Sequence, residues 1–488
     1  MMLRALLTIG AAQFVTMLVL VVRTKTLALL LGPELVGVMA VIDKLLAVIA
    51  QTASLSLPFA AVRFLPERWA AGPSEFRDLF TRMRNLLLAM ILAAAVGALA
   101  VSAFFPAAWG VALLPYHDVM IVALLGLPAV ALIPFLQNAI AGRMQQNRSM
   151  LVGFLQALVL TASVAGIWLG GLPGYYAAYA VLGTILVAGV TRLATEGADK
   201  RSTRSRPRLA MGLPAPIWRF SAALLVLAFF SPYAILFVHY RLLSEHGAEA
   251  AGWMQAAIGI SLSVRAVLGS AHAVFLTPNV NRGGSVEERM QWANRFQATL
   301  CLIAGLSVPP LLLFPTLVVH LLYSSAFLPG AAFVMLFVLS EIVGLLSGTY
   351  QTLVVAFGHM RFHVLSNLVA QLLVVAVGYQ LVGPFGILGA GLAALVAPVF
   401  LLVATSLFLN RRHGLRMPRR LVARCGWLLT GLVAAGLTGV FFAGPLWESL
   451  LYKAAIYLVF AGVLAFLLAD HERKQIRDAL EGLKARWT

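Results

Sequence analysis

The stretch GPELVGVM at residues 32–39 recurs as GAEAAGWM at residues 247–254, and the two share the pattern G-x-E-x-x-G-x-M. Each copy lies between two long apolar segments. Small residues are common where membrane helices pack, so any single match of this kind is weak. Further matches follow in the same order, and this common order indicates an internal repeat. They pair Phe105-Pro106 with Phe314-Pro315, and Gly171, Gly174 and Ala178 with Gly383, Gly386 and Ala390.

The composition places this repeat in a membrane. Of the 488 residues, 61% are hydrophobic and 11% are charged, which is more apolar surface than a soluble core could bury. The apolar runs are long enough for helices that need about 20 residues to cross the hydrocarbon. The net charge of +18 lies beside these runs, where anionic lipid is the expected neighbour. We therefore predict a polytopic helical membrane protein with no nucleic-acid partner.

Basic residues give the spans and their orientation, because Lys and Arg accumulate in cytoplasmic loops. Of the 36 Lys and Arg residues, 29 lie near the termini or in every second gap between apolar segments. This alternation predicts both termini in the cytoplasm. The fourteen predicted spans are 5–31, 35–62, 85–108, 118–141, 149–170, 173–191, 215–239, 250–277, 294–318, 330–356, 362–382, 386–409, 421–443 and 448–470.

The longest polar stretch, EGADKRSTRSRPR at residues 196–208, divides the chain. The predicted fold class is an all-α membrane protein with 14 transmembrane helices, two six-helix lobes and two further helices. Because each lobe has an even number of spans, the repeat is parallel, about an axis along the membrane normal. The predicted parts are an N-terminal lobe at 1–195, a basic cytoplasmic linker at 196–214, a C-terminal lobe at 215–410, helices 13 and 14 at 411–470, and a cytoplasmic tail at 471–488.

Charged side chains inside the spans are the candidates for function, because a charge in hydrocarbon is costly unless it faces protein, a partner or water. Arg265 lies near the middle of its span, where transporters keep their binding sites. The surplus of cations favours an anionic ligand. The candidate substrate ligands are Arg23, Lys25, Lys44 and Arg265, and the candidate coupling or structural acids are Asp43 and Glu341.

The same charges also have structural interpretations. Asp43 could pair with Lys25 and lock the first two spans together. Arg23 and Lys25 are two positions apart, about 200° around a helix, so only one of them can face a given cavity. Glu341 is either a proton carrier or a carboxylate that bridges two helices.

Motifs of enzymes and of metal sites are missing from the sequence. There is no Gly-rich phosphate loop followed by Lys and Ser or Thr, which argues against an ATPase. The histidines lack metal spacing, and Cys301 and Cys425 offer neither a disulfide framework nor a metal site. The outer gaps are too short for a catalytic domain. We therefore expect a transporter rather than an enzyme, with no cofactor and no metal.

The first hairpin reads RTKTLALLLGPELVG at residues 23–37. In this stretch, and in its six plus six plus two spans, the chain resembles the polysaccharide transport flippases of the multidrug, oligosaccharidyl-lipid and polysaccharide exporter superfamily. That group includes O-antigen and lipid II flippases. The positions that match are Arg23, Ala28, Leu31-Gly32 and Gly37.

The resemblance implies that Arg23 is a ligand of a lipid diphosphate. In lipid II flippases the corresponding arginine is followed by an aspartate and is implicated in holding that group. Thr24 takes the place of the aspartate here, so the chain departs from the lipid II pattern. Arg265 cannot be matched to the arginine that this group carries in span 8, and its role rests on the physical argument.

The resemblance also implies a substrate, a route and partners. Undecaprenyl-diphosphate-linked oligosaccharide would pass from the inner to the outer leaflet of the bacterial cytoplasmic membrane, for O-antigen or exopolysaccharide assembly. Two lobes would rock around a central cavity, while the lipid tail stays in a gap lined by spans 1 and 8. The implied partners are this substrate, membrane lipids, and a polysaccharide polymerase with its chain-length machinery.

Three other interpretations stay open. A cation-coupled multidrug and toxin exporter has the same fold and needs a dominant membrane acid, for which Asp43 and Glu341 are candidates. A major facilitator transporter has a six plus six repeat but normally twelve spans and a Gly-, Asp- and Arg-rich second gap, unlike RFLPERWAAGPSEFRDLF at 63–80. A glycan ligase or polymerase would need large outer loops.

Overall fold

The computed structural model describes residues 2–143, 145–196, 212–272, 276, 279–280, 284–441 and 446–466. Every regular element among them is a helix. Short 3₁₀ helices occupy Pro106–Trp109, Val111–Tyr116, Ser163–Ala165 and Ser325–Phe333. The α-helices are α1 (Met2–Ala53), α2 (Leu57–Ala71), α3 (Pro73–Phe104), α4 (His117–Leu125), α5 (Leu127–Gly142), α6 (Gln146–Ala162), α7 (Gly166–Thr195), α8 (Ala215–Ala271), α9 (Val286–Leu313), α10 (Pro315–Leu322), α11 (Val334–Ala356), α12 (Met360–His413), α13 (Arg419–Phe441) and α14 (Leu446–Phe466).

Four of the long helices are hairpins whose two arms are joined at a glycine. α1 is broken at Gly32 and α8 at Gly247, with φ angles of 66° and 84°. Positive φ is open to glycine without the steric penalty that a Cβ brings. α7 and α12 are divided in the same way, at Gly171 and Gly386. The arms of each hairpin run back alongside each other.

The predicted all-helical membrane class is confirmed, whereas the number of spans stays a prediction. Within the described residues, eight helices are long and apolar enough to cross a membrane. The number is nine if Val111–Leu125 and Leu127–Gly142, which are bent by 40°, form one span. Each glycine break lies at or between the ends of two predicted spans, as Gly32 does between 5–31 and 35–62.

The two repeat motifs meet at the tips of the α1 and α8 hairpins. A Cβ atom at Gly37 would overlap the carbonyl oxygen of Ala248 and would lie 2.7 Å from the amide nitrogen of Gly252. A Cβ atom at Gly252 would overlap the carbonyl oxygen of Pro33. Pro33 and Ala248 are equivalent positions of the repeat, as are Gly37 and Gly252. The contact is therefore reciprocal, as in an interface around a two-fold axis.

The remaining helices pack around these hairpins in two groups. In the first half, α5 contacts α1, α2, α3, α6 and α7. In the second half, α8 contacts α11 and α12, and α13 and α14 pack on α9. Of the predicted linker, residues 197–211 lie outside the described residues, as does the whole predicted tail at 471–488.

Candidate functional site

A cavity of about 410 Å³ lies between the α1 hairpin and the second arm of α8, and we call it the hairpin cavity. Both arms of α1 line it, and Leu322 and Tyr323 at the end of α10 complete its wall. Most of the wall is apolar. Its polar lining residues are Thr16, Arg23, Thr24, Asp43, Gln255, Ser263 and Tyr323.

Arg23 lies on the first arm of α1 and is held by Tyr175 of α7. Its Nη2 donates to the Tyr175 hydroxyl at 2.6 Å, and the guanidinium carbon lies 5.6 Å from the centre of that ring. The Nε–H of Arg23 is buried and has no hydrogen-bond partner in the described part of the chain. A buried donor without a partner is costly, and the described residues do not supply the acceptor that this group lacks.

Asp43 faces the same cavity from the second arm of α1. The Tyr176 hydroxyl donates to its carboxylate at 2.9 Å. Adjacent tyrosines therefore hold the two opposite charges, Tyr175 the cation and Tyr176 the acid. The two tyrosine rings are buried and pack edge to face with centroids 5.3 Å apart. They therefore form a well-packed support for the side chains of Arg23 and Asp43.

Lys25 is not among the residues that line the hairpin cavity, unlike the other cation of the first span. Its Nζ donates to the carbonyl oxygen of His320 at 2.7 Å, in the last turn of α10. The last carbonyls of a helix lack helical partners and carry partial negative charge, so an ammonium group stabilises this end. The pair of Lys25 with Asp43 that the sequence allowed is not formed. Lys25 joins the two halves of the chain instead.

A second cavity, of about 510 Å³, lies among α8, α11 and α12, and we call it the C-terminal cavity. It shares Leu262 with the hairpin cavity. Lys44 of α1 also lines it. Lys44 follows Asp43 in sequence but points about 100° away around the helix, which is why the two neighbours line different cavities.

Arg265 and Glu341 form an ion pair in the wall of the C-terminal cavity. Nη1 of Arg265 lies 3.0 Å from Oε2 of Glu341. The sequence did not predict this pair, because the contact joins α8 to a residue of α11 that lies 76 positions along the chain. The pair agrees with the helix-bridging interpretation of Glu341. The Arg265 side chain is still 61% exposed, so most of its donors remain open to a ligand.

A third cavity, of about 370 Å³, shares Ser231, Asn367 and Gln371 with the C-terminal cavity, and we call it the inner cavity. Asn367, Gln371 and the two tyrosines were not predicted from the sequence, because a search for charged residues in the spans does not find them. The signals were present, since Tyr175 and Tyr176 closely follow a glycine turn. Asn367 and Gln371 lie four residues apart on one face of an apolar helix.

The two halves also touch at the side that the charge pattern predicts to be cytoplasmic. The ring centroids of Phe64 and Phe220 lie 5.6 Å apart, nearly perpendicular. The guanidinium carbon of Arg63 lies 4.9 Å from the centre of the Phe220 ring. With the contact between the hairpin tips, the two halves therefore touch near both predicted faces of the membrane.

Comparison with solved structures identifies this architecture. The chain is similar to the lipid II flippase MurJ in an inward closed conformation, with a TM-score of 0.68 and 12% sequence identity over 94% of this chain and 98% of that chain. The fold is that of MOP superfamily transporters. An inward-facing multidrug resistance MATE family transporter of that superfamily has a TM-score of 0.60 and 14% identity, over 86% of this chain and 96% of the other.

A third structure with this fold is a MOP superfamily transporter from Pyrococcus furiosus, in which a reversed polarity of the binding pocket suggests a different function. Its TM-score is 0.53 at 15% identity, over 88% of this chain and 96% of that chain. No family model and no curated protein matches the sequence. The comparisons therefore support the superfamily fold, and membership of the polysaccharide flippases stays a prediction.

Proposed function

We propose that the protein is a flippase that moves undecaprenyl-diphosphate-linked oligosaccharide from the inner to the outer leaflet of the bacterial cytoplasmic membrane by alternating access. The observation that carries this proposal is Arg23, whose Nε–H faces no acceptor in the described residues. A guanidinium offers a planar fork of donors that matches phosphate oxygens. An anionic headgroup would therefore supply the acceptor that the protein does not.

The walls of the hairpin cavity support a route for the lipid. α1 and the second arm of α8 both line it, and next to their lining residues both helices expose apolar side chains. Val22 is 58% exposed and Val267 is 54% exposed. A headgroup could thus occupy the cavity while its lipid chain stays in the bilayer beside the two helices. This is the gap that the resemblance implies between spans 1 and 8.

The charged residues of the hairpin cavity and the C-terminal cavity favour an anionic ligand by a small margin. Without Lys25, whose ammonium group binds the end of α10, three cations face two acids. One net positive charge in a low-dielectric site attracts an anionic headgroup and disfavours a cationic one. A membrane that is negative inside adds about 2.3 kcal/mol per unit charge per 100 mV for an anion that moves outward unneutralised. The charged residues are Arg23, Lys44 and Arg265 against Asp43 and Glu341.

Asp43 supports a second candidate function, a cation-coupled multidrug and toxin exporter. Its carboxylate faces the hairpin cavity and accepts a hydrogen bond from Tyr176. A carboxylate inside a membrane transporter is a common site for a proton or a cation. In this function Asp43 would exchange the coupling ion as the lobes rock.

The flippase function brings partners and a location with it. The protein would lie in the bacterial inner membrane with both termini in the cytoplasm, among membrane lipids. It would receive a lipid-linked oligosaccharide from glycosyltransferases and deliver it to a polymerase with chain-length machinery. It would not itself be an enzyme.

The test uses Arg23 in a strain that lacks the chromosomal copy of this protein. Arg23→Gln is expected to reduce surface glycan at least tenfold, with lipid-linked intermediates accumulating on the inner leaflet, because neutral Gln loses the charge-assisted bonds. Arg23→Lys should keep part of the activity. Arg192→Gln, at an exposed arginine near the end of α7, is the matched control. Normal surface glycan in the Arg23→Gln strain would reject the proposal.

A further inference from the structure

The junction of the C-terminal and inner cavities is lined by uncharged hydrogen-bonding side chains. Ser231 of α8 and Asn367 and Gln371 of α12 line both cavities. Gln351 of α11 adds a further amide to the C-terminal cavity. We call these four residues the amide junction. They come from three different helices, so the junction is a built surface and not one face of one helix.

Much of the hydrogen-bonding capacity of the amide junction is not used by the protein. The Asn367 Nδ2 donates to the Gln351 Oε1 at 3.0 Å and to the His363 carbonyl oxygen at 2.8 Å. Among the described residues, Asn367 Oδ1, Gln351 Nε2 and the whole Gln371 amide make no hydrogen bond. Each amide has both donors and acceptors. Polar groups in a membrane interior are costly unless water or a ligand satisfies them.

The inner cavity offers an aromatic surface next to these amides. Phe59 of α2 is 58% exposed and lines this cavity together with Gln51, so the N-terminal half contributes to the site. A sugar ring presents apolar C–H faces and a rim of hydroxyl groups. The ligand chemistry that fits is therefore neutral and rich in hydroxyl groups, in contrast to the charged wall around Arg265.

The depth of the amide junction fits loading from the cytoplasm. Asn367 and Gln371 lie five and nine residues beyond residue 362, the predicted inner end of their span. At 1.5 Å per residue these distances correspond to roughly 8 and 14 Å, which is the inner half of the membrane. A headgroup that enters from the inner leaflet would meet the amides before it reaches the outer half.

We propose that the amide junction is a saccharide subsite, which binds the sugar of the substrate while Arg23 binds its diphosphate. The proposal rests on the flippase function and deepens it. The two cavities, of about 510 and 370 Å³, have the volumes of typical ligand pockets. A subsite built from hydroxyl-binding amides discriminates against a headgroup that lacks hydroxyl groups, because such a headgroup leaves the amides unpaired.

The test is a flipping assay with the full-length protein in liposomes and two probes. One probe is undecaprenyl diphosphate, and the other is undecaprenyl diphosphate carrying a neutral tetrasaccharide. The variant Asn367→Leu with Gln371→Leu keeps similar side-chain volume and removes both amides. Gln380→Leu, an exposed glutamine on the same arm of α12, is the matched control.

The double variant should flip the saccharide-bearing probe at least about tenfold more slowly, because it loses both amides that bind hydroxyl groups. Its rate with undecaprenyl diphosphate should stay within about twofold of the unsubstituted protein. Equal losses for both probes, or no loss for either, would overturn the subsite and leave the flippase function standing. If the unsubstituted protein flips neither probe, the flippase function fails and the subsite fails with it.

Discussion

Gly37 packs against the backbone of Ala248, and Gly252 packs in the equivalent way against the backbone of Pro33. The two hairpin tips therefore fit together without side chains between them. The contact closes the side that is predicted to face outward. Alternating access requires that such a closure opens and re-forms, because a site must be exposed to one side at a time.

Gly37→Ala should hold the hairpin tips apart, because the new Cβ would overlap the carbonyl oxygen of Ala248. We expect transport to fall at least tenfold. The reporter is Ser263→Cys in the hairpin cavity, in a protein whose Cys301 and Cys425 have been replaced. With Gly37→Ala, this cysteine should react faster with an impermeant maleimide added outside. Gly97→Ala is the control, since no atom lies within 4 Å of its new Cβ. Unchanged labelling and transport would show that the tips tolerate separation.

Lys25 is expected to act as an outer latch and not as a substrate ligand, because its ammonium binds the end of α10. Lys25→Met should raise outside labelling of the same Ser263→Cys reporter, whereas Lys25→Arg should keep it low. Lys25→Gln and Asp43→Asn should have additive effects on transport, since these residues do not contact each other. Slower transport in Lys25→Met with no change in labelling would restore Lys25 as a ligand.

The ion pair of Arg265 with Glu341 predicts that substitutions at the two residues have non-additive effects. Arg265→Ala should abolish flipping at normal protein levels, and Arg265→Lys should retain part of it, because Lys keeps the charge without the fork. Glu341→Ala leaves the arginine unpaired. The double-mutant cycle of Arg265→Ala and Glu341→Ala should give a coupling of about 0.5–3 kcal/mol in the free energy of unfolding. The coupling should lie towards the low end of this range, because the Arg265 side chain is largely exposed. Full complementation by Arg265→Ala would mean that this residue is not needed for transport.

The sequence was most informative about features that depend on local pattern. The apolar runs and the basic gaps indicate membrane helices. The two copies of the repeat motif lie at the hairpin tips, but the contact between the tips was not predicted. The 200° separation of Arg23 and Lys25 is a property of one helix, so it could be stated without a structure. Arg23 and Lys25 do have different surroundings.

The partners of the charged residues could not be predicted, because they depend on how distant helices pack. Tyr175 reaches Arg23 from 152 positions away, and Glu341 reaches Arg265 from 76 positions away. No periodicity encodes such distances. The amide residues were missed for another reason, since uncharged polar side chains in a span were not counted as costly. An unpaired amide in hydrocarbon also needs a partner, and that criterion would have selected Asn367 and Gln371.

Asp43 separates the two candidate functions, because the flippase uses it to balance Arg23 whereas an exporter uses it to carry a cation or a proton. Asp43→Asn keeps the shape of the side chain and removes its charge. On the flippase function, surface glycan should change by less than about threefold, because Asn can still accept the hydrogen bond from Tyr176. On the exporter function, the same change should abolish proton-coupled efflux of cationic drugs.

Both outputs should be measured in the same strains, with Asp118→Asn as the control at an exposed acid outside the cavities. The comparison with Arg23→Gln then gives a crossed design. A flippase loses glycan display with Arg23→Gln and keeps drug tolerance unchanged in every variant. An exporter loses drug tolerance with Asp43→Asn and displays glycan normally in both the Arg23→Gln and the Asp43→Asn strains. Normal glycan in Arg23→Gln, together with lost drug tolerance in Asp43→Asn, would end the flippase hypothesis, because the cation would then be unnecessary and the acid essential.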